Sequence, residues 1–285
     1  MAAELSFSEK VDLAKKAAHV RRKVVEMICK GKGGHLGGAL SCVDILVVLY
    51  FKIMRVDPKN PGWEERDRFI LSAGHKCLAL YATMALRGYF EEEKLLSYGS
   101  KDCPFPGHPD RHKLPGIEAN TGSLGHGLAI GGGMALAGKI DRKDWKVYVL
   151  LGDGEIAEGS CWESAAAASH HRLDNLVAIV DKNKLQIQGP TREVMNTDPL
   201  ADKWKAFGWE VVEIDGHNLD DIFKALSNIP IKKNFPTAII ANTVKGKGLS
   251  FAEDNYKFHQ WQPTPEECEK AVTEMKKLEE KACKI

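Results

Sequence analysis

Short apolar runs alternate with longer amphipathic stretches along this chain. Five runs of four or five residues are mostly apolar and rich in β-branched side chains, which is typical of strands; they cover 68–71, 147–151, 176–180, 210–214 and 237–241. Between most of them apolar residues recur at helical spacing; the predicted helices cover 8–29, 43–53, 78–86, 124–137, 158–171, 199–207 and 219–226. This alternation predicts an α/β fold, a parallel sheet with helices on both faces.

No repeat, linker or change of composition divides the chain, so we predict a single domain over 1–285. Its beginning, 1–60, is expected to form an amino-terminal helical arm. Its end, 264–285, is polar with helical spacing, and could cap the domain or lie in solvent. The stretch 98–119 is rich in Pro, Gly and His and has no periodicity; loops of this length are usually functional or disordered.

The composition is that of an ordinary globular enzyme. The 285 residues are 44% hydrophobic and 28% charged, and the net charge of +1 favours neither nucleic acid nor an anionic membrane as a partner. Residues 1–10 lack the apolar core of a signal peptide, and no apolar run approaches the ~20 residues of a membrane span. The seven cysteines are scattered and form no C-x-x-C pair, so neither a disulfide framework nor a zinc site is expected. A reducing, cytoplasmic setting is the simplest fit.

Polar residues follow two neighbouring predicted strands. Gly152-Asp153-Gly154 comes after the strand 147–151, and Asn183 comes after the next strand. The carboxyl ends of parallel strands meet at the edge where α/β proteins bind ligands. A carboxylate, an amide and a free carbonyl suit Mg²⁺, which completes its coordination with phosphate oxygens and water. A tight turn is the simpler interpretation of Gly-Asp-Gly alone, but the spacing to Asn183 favours a diphosphate held through a divalent metal.

Residues 152–159, Gly-Asp-Gly-Glu-Ile-Ala-Glu-Gly, are continued by Asp-Lys-Asn-Lys-Leu at 181–185. Together they resemble the thiamine diphosphate motif in the form found in the transketolase family. The resemblance implies the diphosphate-binding fold of that family, with thiamine diphosphate bound through Mg²⁺, for which Ca²⁺ or Mn²⁺ could substitute. It implies that the metal ligands are Asp153, Asn183 and the main-chain carbonyl of Leu185, and that Gly154 lies against the cofactor.

Four histidines and a lysine stand in segments that also resemble transketolase motifs. In the family pattern His35 and His108 face the sugar and His259 contacts both sugar and cofactor, which makes these three the candidate catalytic residues. His75, in Ser-Ala-Gly-His after the first strand, would bind the diphosphate, and Lys245, in the basic turn after the last strand, would approach it. Taken alone, His75 could be a helix-cap residue and Lys245 part of an ordinary surface turn.

The segment 121–127, Thr-Gly-Ser-Leu-Gly-His-Gly, resembles the transketolase segment that packs against the cofactor rings. Gly122, Ser123 and Leu124 are therefore further candidate cofactor contacts. His126 stands where relatives usually carry Gln and is not included in the site.

An acidic pair, Glu158 and Glu163, matches the pair that links the two active sites across the transketolase dimer, and Glu158 is counted with the cofactor site. The preference of acidic residues for a helix amino terminus explains the pair equally well. A departure from the family pattern lies at Gly38, where many relatives carry Ser or Ala, so a side-chain contact to the cofactor is missing there.

The resemblance runs from about residue 8 to residue 262 but matches only the diphosphate-binding domain. In the family a glutamate of a second, pyrimidine-binding domain helps to activate the cofactor, and the ~25 remaining residues are too few to hold such a domain. We therefore expect the amino-terminal subunit of a split transketolase, active with a separate subunit that carries the pyrimidine-binding and carboxyl-terminal domains. It would work as a homodimer or heterotetramer in the pentose phosphate pathway, and would transfer a two-carbon ketol unit from a ketose to an aldose phosphate.

Two other interpretations stay open at this point. The chain could be a subunit of another thiamine diphosphate enzyme, of the ketoacid dehydrogenase E1 α or deoxyxylulose phosphate synthase type. It could also be a non-catalytic module that only binds the cofactor. The set of His75, His108 and His259 favours transketolase over the first alternative, whereas intact metal ligands do not exclude the second.

Overall fold

A single parallel sheet forms the centre of the computed structural model, which describes residues 4–283. Its five strands lie in the order β1-β2-β3-β5-β4, and all four neighbouring pairs are parallel. The strands are β1 Arg68–Leu71, β2 Val147–Gly152, β3 Leu176–Lys182, β4 Glu210–Asp215 and β5 Thr237–Asn242. Each strand lies where the apolar runs predict it, and the predicted α/β class is confirmed.

Helices connect and cover the strands. The α-helices of the described range are α1 Phe7–Gly31, α2 Gly37–Ser41, α3 Val43–Val48, α4 Cys77–Arg87, α5 His126–Ile140, α6 Gly159–His170, α7 Thr191–Val194, α8 Leu200–Ala206, α9 Leu219–Ser227 and α10 Pro265–Cys283. Shorter helical turns are the π-helical Leu49–Ile53 and the 3₁₀ turns Gly74–Lys76, Glu92–Ser97, Glu155–Ala157 and Tyr256–Phe258. Every helix predicted from periodicity has a counterpart, whereas α2 and α7 are too short for a period to be visible.

The two faces of the sheet are packed by separate hydrophobic cores. Side chains alternate along β2, so that Tyr148 and Leu150 contact the core formed with α1 and α4. Val149 and Leu151 contact the opposite core, formed with α5 and α6. Burial on both faces explains why the central strands read as continuous apolar runs.

The first helix is fixed at its start and along one side. Ser6 accepts a hydrogen bond from the Glu9 N–H while the Glu9 carboxylate accepts one from the Ser6 N–H, a reciprocal capping box. Farther along, Arg21 donates two hydrogen bonds to Asp44 of α3, at 3.0 and 2.6 Å, and His217 lies 2.7 Å from the same carboxylate. Arg21 and Asp44 are both buried, so this ion pair joins α1 to α3 inside the protein.

The polar carboxyl-terminal helix caps the domain. α10 packs on α1 and buries Ala271 and Met275; residues 284 and 285 of the predicted helix lie outside the described range. A disulfide joins Cys29 of α1 to Cys268 of α10, 239 positions apart in the sequence. The expectation that the cysteines stay unpaired is wrong for these two, because partners so distant in sequence leave no local spacing to read.

The segment between the 3₁₀ turn Glu92–Ser97 and α5 contains neither helix nor strand, in agreement with the loop predicted at 98–119. Its position is fixed by contacts with α4, where the Tyr81 hydroxyl donates to the Pro106 carbonyl at 3.0 Å. Nowhere in residues 4–283 is a helix long and apolar enough to cross a membrane.

Candidate cofactor site

A cavity of about 350 Å³ opens at the carboxyl edge of the sheet, where β2, β3 and β5 end. Strands β2 and β3 are paired in register from Val147 and Leu176 to Gly152 and Asp181, which brings the residues that follow them together. Most of the residues predicted from the sequence line this cavity: His35, His75, His108, Gly122, Leu124, Asp153, Gly154, Asn183, Leu185, Lys245 and His259. The structure therefore brings together positions spread from residue 35 to residue 259.

Three residues whose oxygens could bind a metal, Asp153, Asn183 and Leu185, line the floor of the cavity. The buried Asp153 carboxylate accepts hydrogen bonds from the Gly154 and Lys184 N–H groups, at 2.9 and 2.6 Å. The Asn183 Oδ1 accepts from the Leu185 N–H at 3.2 Å, and the Leu185 carbonyl accepts from Lys245 Nζ at 3.0 Å. The Lys184 N–H contact holds Asp153 against the short turn that contains Asn183 and Leu185, beside the ends of β2 and β3.

The charge of Asp153 fits a bound cation. Burial, together with the negative charge of the neighbouring Asp181, raises the pKa of this carboxyl to about 6, so the carboxylate lies where a positive partner is favoured. Within residues 4–283 no three His, Cys, Asp or Glu side chains form a metal cluster, so a metal here would be held by one carboxylate, one amide and one carbonyl. Sparse oxygen coordination of this kind suits Mg²⁺ bound together with phosphate oxygens.

Four histidine rings surround the mouth of the cavity. The ring centroid of His35 lies 5.3 Å from that of His75, 6.2 Å from that of His108 and 5.4 Å from that of His259. His75 and His259 are 5.2 Å apart. An antiparallel bridge between Gly34 and Trp261 brings the two distant segments that carry His35 and His259 side by side.

Three of these imidazoles are held in the neutral form. Burial lowers the pKa of His75 to about 2, with a further contribution from the charge of Lys76. Burial likewise lowers the pKa of His259 to about 3, aided by Lys245, and lowers the pKa of His35. A neutral imidazole can donate one hydrogen bond and accept another, so these rings are suited to hydroxyl groups.

Lys245 supplies a positive charge beside the donor set. Its ammonium is buried and contacts both the Leu185 carbonyl and Nδ1 of His259, at 3.0 and 3.1 Å. Burial lowers the pKa of Lys245 to about 8, and the nearby Lys76 contributes to the same shift. The Lys245 side chain is therefore aimed at the cavity rather than at solvent, unlike an ordinary surface turn.

Two predicted positions lie outside the lining of the cavity. Ser123 and Glu158 are exposed, with Glu158 at the amino terminus of α6. Gly125, two residues after Ser123, has φ 82°, and a Cβ at this position would lie 2.7 Å from the Cβ of Glu158. The loop before α5 thus runs closely along the start of α6, and only its Gly122 and Leu124 reach the cavity.

Three buried charged residues at the site were not predicted from the sequence. Lys76 Nζ lies 2.5 Å from Asp181 Oδ2, and both side chains are buried. Glu155 accepts hydrogen bonds from the Gly125 and Gly152 N–H groups at 2.9 and 3.0 Å and so joins the loop before α5 to the end of β2. Their positions in the sequence could have indicated two of them, because each stands next to a predicted site residue. Lys76 follows His75, and Glu155 directly follows Gly152-Asp153-Gly154.

Comparison with known proteins identifies the family. The family model described as the thiamine diphosphate binding domain of transketolase matches residues 13–275. The chain belongs to the transketolase family. The match confirms the resemblance on which the sequence prediction rests and makes this domain one of a family that binds thiamine diphosphate.

Two relatives resemble the chain over nearly their whole length. One of them, a subunit of the apulose-4-phosphate transketolase of Phocaeicola vulgatus, is 47% identical over 261 residues, covering 92% of each chain. The other, a 6-deoxy-6-sulfo-D-fructose transketolase subunit of Clostridium sp., is 45% identical, covering 94% of this chain and 98% of the relative.

Solved transketolases share the fold over less than half of their length. The enzyme from Campylobacter jejuni superposes with a TM-score of 0.85 at 34% identity, covering 96% of this chain and 43% of that one. The transketolase from Leishmania mexicana gives a TM-score of 0.84 at 28% identity, covering 95% and 45%. This chain therefore spans less than half the length of these two solved enzymes.

Proposed function

We propose that this chain is the thiamine diphosphate-binding subunit of a two-chain transketolase, which transfers a two-carbon ketol unit from a ketose to an aldose phosphate. The observation that supports it most directly is the single cavity that holds both the Asp153–Asn183–Leu185 oxygens and the four histidines. The relatives that match over their whole length are themselves named as transketolase subunits, which supports the two-chain assembly.

In this proposal the metal and the cofactor share the floor of the cavity. Asp153, Asn183 and the Leu185 carbonyl would hold Mg²⁺, while Gly154, His75 and Lys245 would lie against the diphosphate. Bound thiamine diphosphate supplies the carbanion chemistry of ketol transfer. Because Lys245 already donates to the Leu185 carbonyl at 3.0 Å, its charge lies where it stabilises an anion next to the metal.

The remaining histidines would act on the sugar. His35, His108 and His259 lie within one cluster, and the rings of His35 and His259 are neutral. All three would bind and orient the hydroxyls of the two-carbon unit by hydrogen bonds, and the neutral rings of His35 and His259 would do so without adding charge to the cavity. Gly122 and Leu124 would lie against the cofactor rings, with Ser123 and Glu158 at the rim of that surface.

The assembly follows from what the chain contributes. As a single diphosphate-binding domain, it would meet a second subunit that supplies the pyrimidine-binding side, in a homodimer of this chain or a heterotetramer of two copies of each. Glu158, at the N-cap of α6, and Glu163, on α6, are both exposed and would lie towards the other copy. The cytoplasmic location and the place in the pentose phosphate pathway stay predictions.

The metal assignment is tested with Asp153→Ala. Calorimetry should show that this variant no longer binds thiamine diphosphate in a Mg²⁺-dependent manner, since the diphosphate loses its bridging cation. Asp141→Ala, which removes an exposed carboxylate, is the matched control and should bind like the wild type. Unchanged cofactor affinity in folded Asp153→Ala would disprove the assignment.

Activity is tested by mixing chains. This chain alone, with thiamine diphosphate and Mg²⁺, should show no ketol transfer, and addition of a pyrimidine-binding subunit should produce it. Since relatives and solved transketolases are named with apulose 4-phosphate, 6-deoxy-6-sulfo-D-fructose and sedoheptulose 7-phosphate, those ketoses belong in the donor panel. Turnover by a preparation that mass spectrometry shows to contain this chain alone would contradict the two-chain proposal. Cofactor binding without turnover under any pairing would indicate a non-catalytic module.

A further inference from the structure

A buried carboxylate lies behind the proposed metal site and joins four segments of the chain. Asp181, near the end of β3, is fully buried. It accepts hydrogen bonds from Ser41 Oγ of α2 and from Lys76 Nζ, each at 2.5 Å, and from the Thr243 hydroxyl just after β5. Asp181 therefore fixes the ends of β3 and β5 relative to α2 and to the turn that carries Lys76.

The same carboxylate also faces one side of Asn183. The Asn183 amide nitrogen lies 3.5 Å from Asp181 Oδ2, while Asn183 Oδ1 points the other way and accepts from the Leu185 N–H. A carboxylate accepts hydrogen bonds and cannot donate them when ionised. Asp181 thus favours the one amide orientation that leaves the Asn183 oxygen, rather than the nitrogen, for a cation in the cavity.

Lys76 holds the Asp181 carboxylate in place. Both side chains are buried, and Lys76 Nζ lies 2.5 Å from Oδ2, the same oxygen that faces the Asn183 amide nitrogen. Apart from Lys76, the side chains that contact Asp181 are the neutral Ser41, Thr243 and Asn183. Within the described residues the only ion pair of Asp181 is therefore the one with Lys76.

Gly38 leaves the room that the lysine side chain occupies. A Cβ at Gly38 would lie 3.2 Å from Cγ and 3.3 Å from Cε of Lys76. The lysine has little freedom to move aside because its ammonium is held by Asp181. This close contact gives a structural reason for glycine at position 38.

We propose that Lys76 is a positioning residue of the metal site: paired with Asp181, it fixes the orientation of the Asn183 amide, and Gly38 is the residue that admits it. This inference rests on the proposed function only in taking Asn183 as a metal ligand. Both lysines line the cavity, but Lys76 Nζ is paired with Asp181, whereas Lys245 Nζ contacts the Leu185 carbonyl and His259.

A double-mutant cycle tests whether Lys76 acts through Asn183. Lys76→Met, Asn183→Ala and the double variant are compared for Mg²⁺-dependent binding of thiamine diphosphate by calorimetry. Lys76→Met should weaken binding about 10- to 100-fold, the range for residues that orient metal ligands. In the Asn183→Ala background the same substitution should cost less than about threefold, because coupled residues are not additive. Lys101→Met, which removes an exposed lysine, is the charge-matched control and should bind like the wild type.

If Lys76→Met lowers the cofactor affinity by the same factor with and without Asn183, the proposal is overturned. Lys76 would then act on the diphosphate independently of Asn183. A lower unfolding temperature with unchanged affinity would also overturn it, because Lys76 would then be merely structural. If Lys76→Met does not fold, Gly38→Ala takes its place: by displacing Lys76 it should weaken binding in the wild type and not in Asn183→Ala.

A second cycle needs no cofactor. Overpacking should make Gly38→Ala lower the unfolding temperature of the apo chain by about 3 °C or more, and by less than about 1 °C in a Lys76→Ala background. An equal shift in both backgrounds would refute the role of Gly38. If the wild type binds no thiamine diphosphate, the proposed function fails while this cycle still reports on the Gly38–Lys76 contact.

Discussion

The neutral His75 that lines the cavity should make the apo protein sensitive to acid in a measurable way. Burial lowers the pKa of His75 to about 2, from an ordinary value of 6.5. Because the folded pKa lies below the unfolded one, the stability that His75 contributes is present above about pH 6.5. It is lost as the pH falls towards the folded value, since only the unfolded chain takes up the proton.

The size of the effect follows from the two pKa values. At pH 5 the unfolded imidazole is almost fully protonated and the folded one is not, so the free energy of unfolding falls by about 2 kcal/mol between pH 7 and pH 5. Any folded pKa below about 4 gives nearly the same result at pH 5. His75→Gln, which cannot titrate, should lack this part of the loss.

The assay is urea unfolding of the apo chain at pH 7 and pH 5. Wild-type protein should lose about 2 kcal/mol more than His75→Gln over this interval, while all other titrating groups cancel in the comparison. His112→Gln is the matched control, because it removes an exposed histidine. Equal losses in wild type and His75→Gln would show that the folded protein admits the proton, and the burial argument would fail.

Three further predictions concern stability, each measured by denaturant unfolding. Asp44→Asn leaves the buried Arg21 charge unpaired and should cost about 3–5 kcal/mol; a loss under about 1 kcal/mol would contradict it. Gly131→Ala places a Cβ 2.5 Å from Val149 Cγ2 and should destabilise the protein by about 1–3 kcal/mol. Gly133→Ala has open space at its Cβ and should stabilise α5 by up to about 1 kcal/mol. Changes of the same sign in both variants would contradict the packing of α5 on β2. Cys29→Ser should lower the free energy of unfolding by about 2–4 kcal/mol relative to the wild type without reductant, and by far less when both samples contain dithiothreitol. Equal stability of the two proteins without reductant would show that the disulfide with α10 is absent in solution.

The sheet was predictable because its information is local. Each strand is an apolar run bounded by polar residues, and the long helices show their period within a single segment. Asp153 and Asn183, the two side chains of the metal motif, were equally predictable, because each follows a predicted strand and the two strands pair in register. Motifs of this kind carry their meaning in spacing along the chain.

The parts that could not be predicted depend on contacts between distant segments. Lys76 meets Asp181 only because β1 and β3 end at the same edge, and Cys29 meets Cys268 only because α10 returns to α1. The four histidines were expected at one site only through the family resemblance, and no local pattern indicates the bridge between Gly34 and Trp261 that brings His35 and His259 side by side. Lysine side chains are rarely buried in proteins, so nothing in the sequence indicates that Lys76 lies in the protein interior.

The strand order has a consequence for the chain as it is synthesised. β5 lies between β3 and β4 in the sheet, yet it follows both in the sequence. Until residues 237–242 have left the ribosome, β3 therefore presents an open edge and β4 has no partner strand. An open apolar edge is a site for pairing with other chains. Nascent or prematurely terminated products that stop before β5 should consequently aggregate or recruit chaperones, and only chains extended past His259 can close the cavity around a ligand.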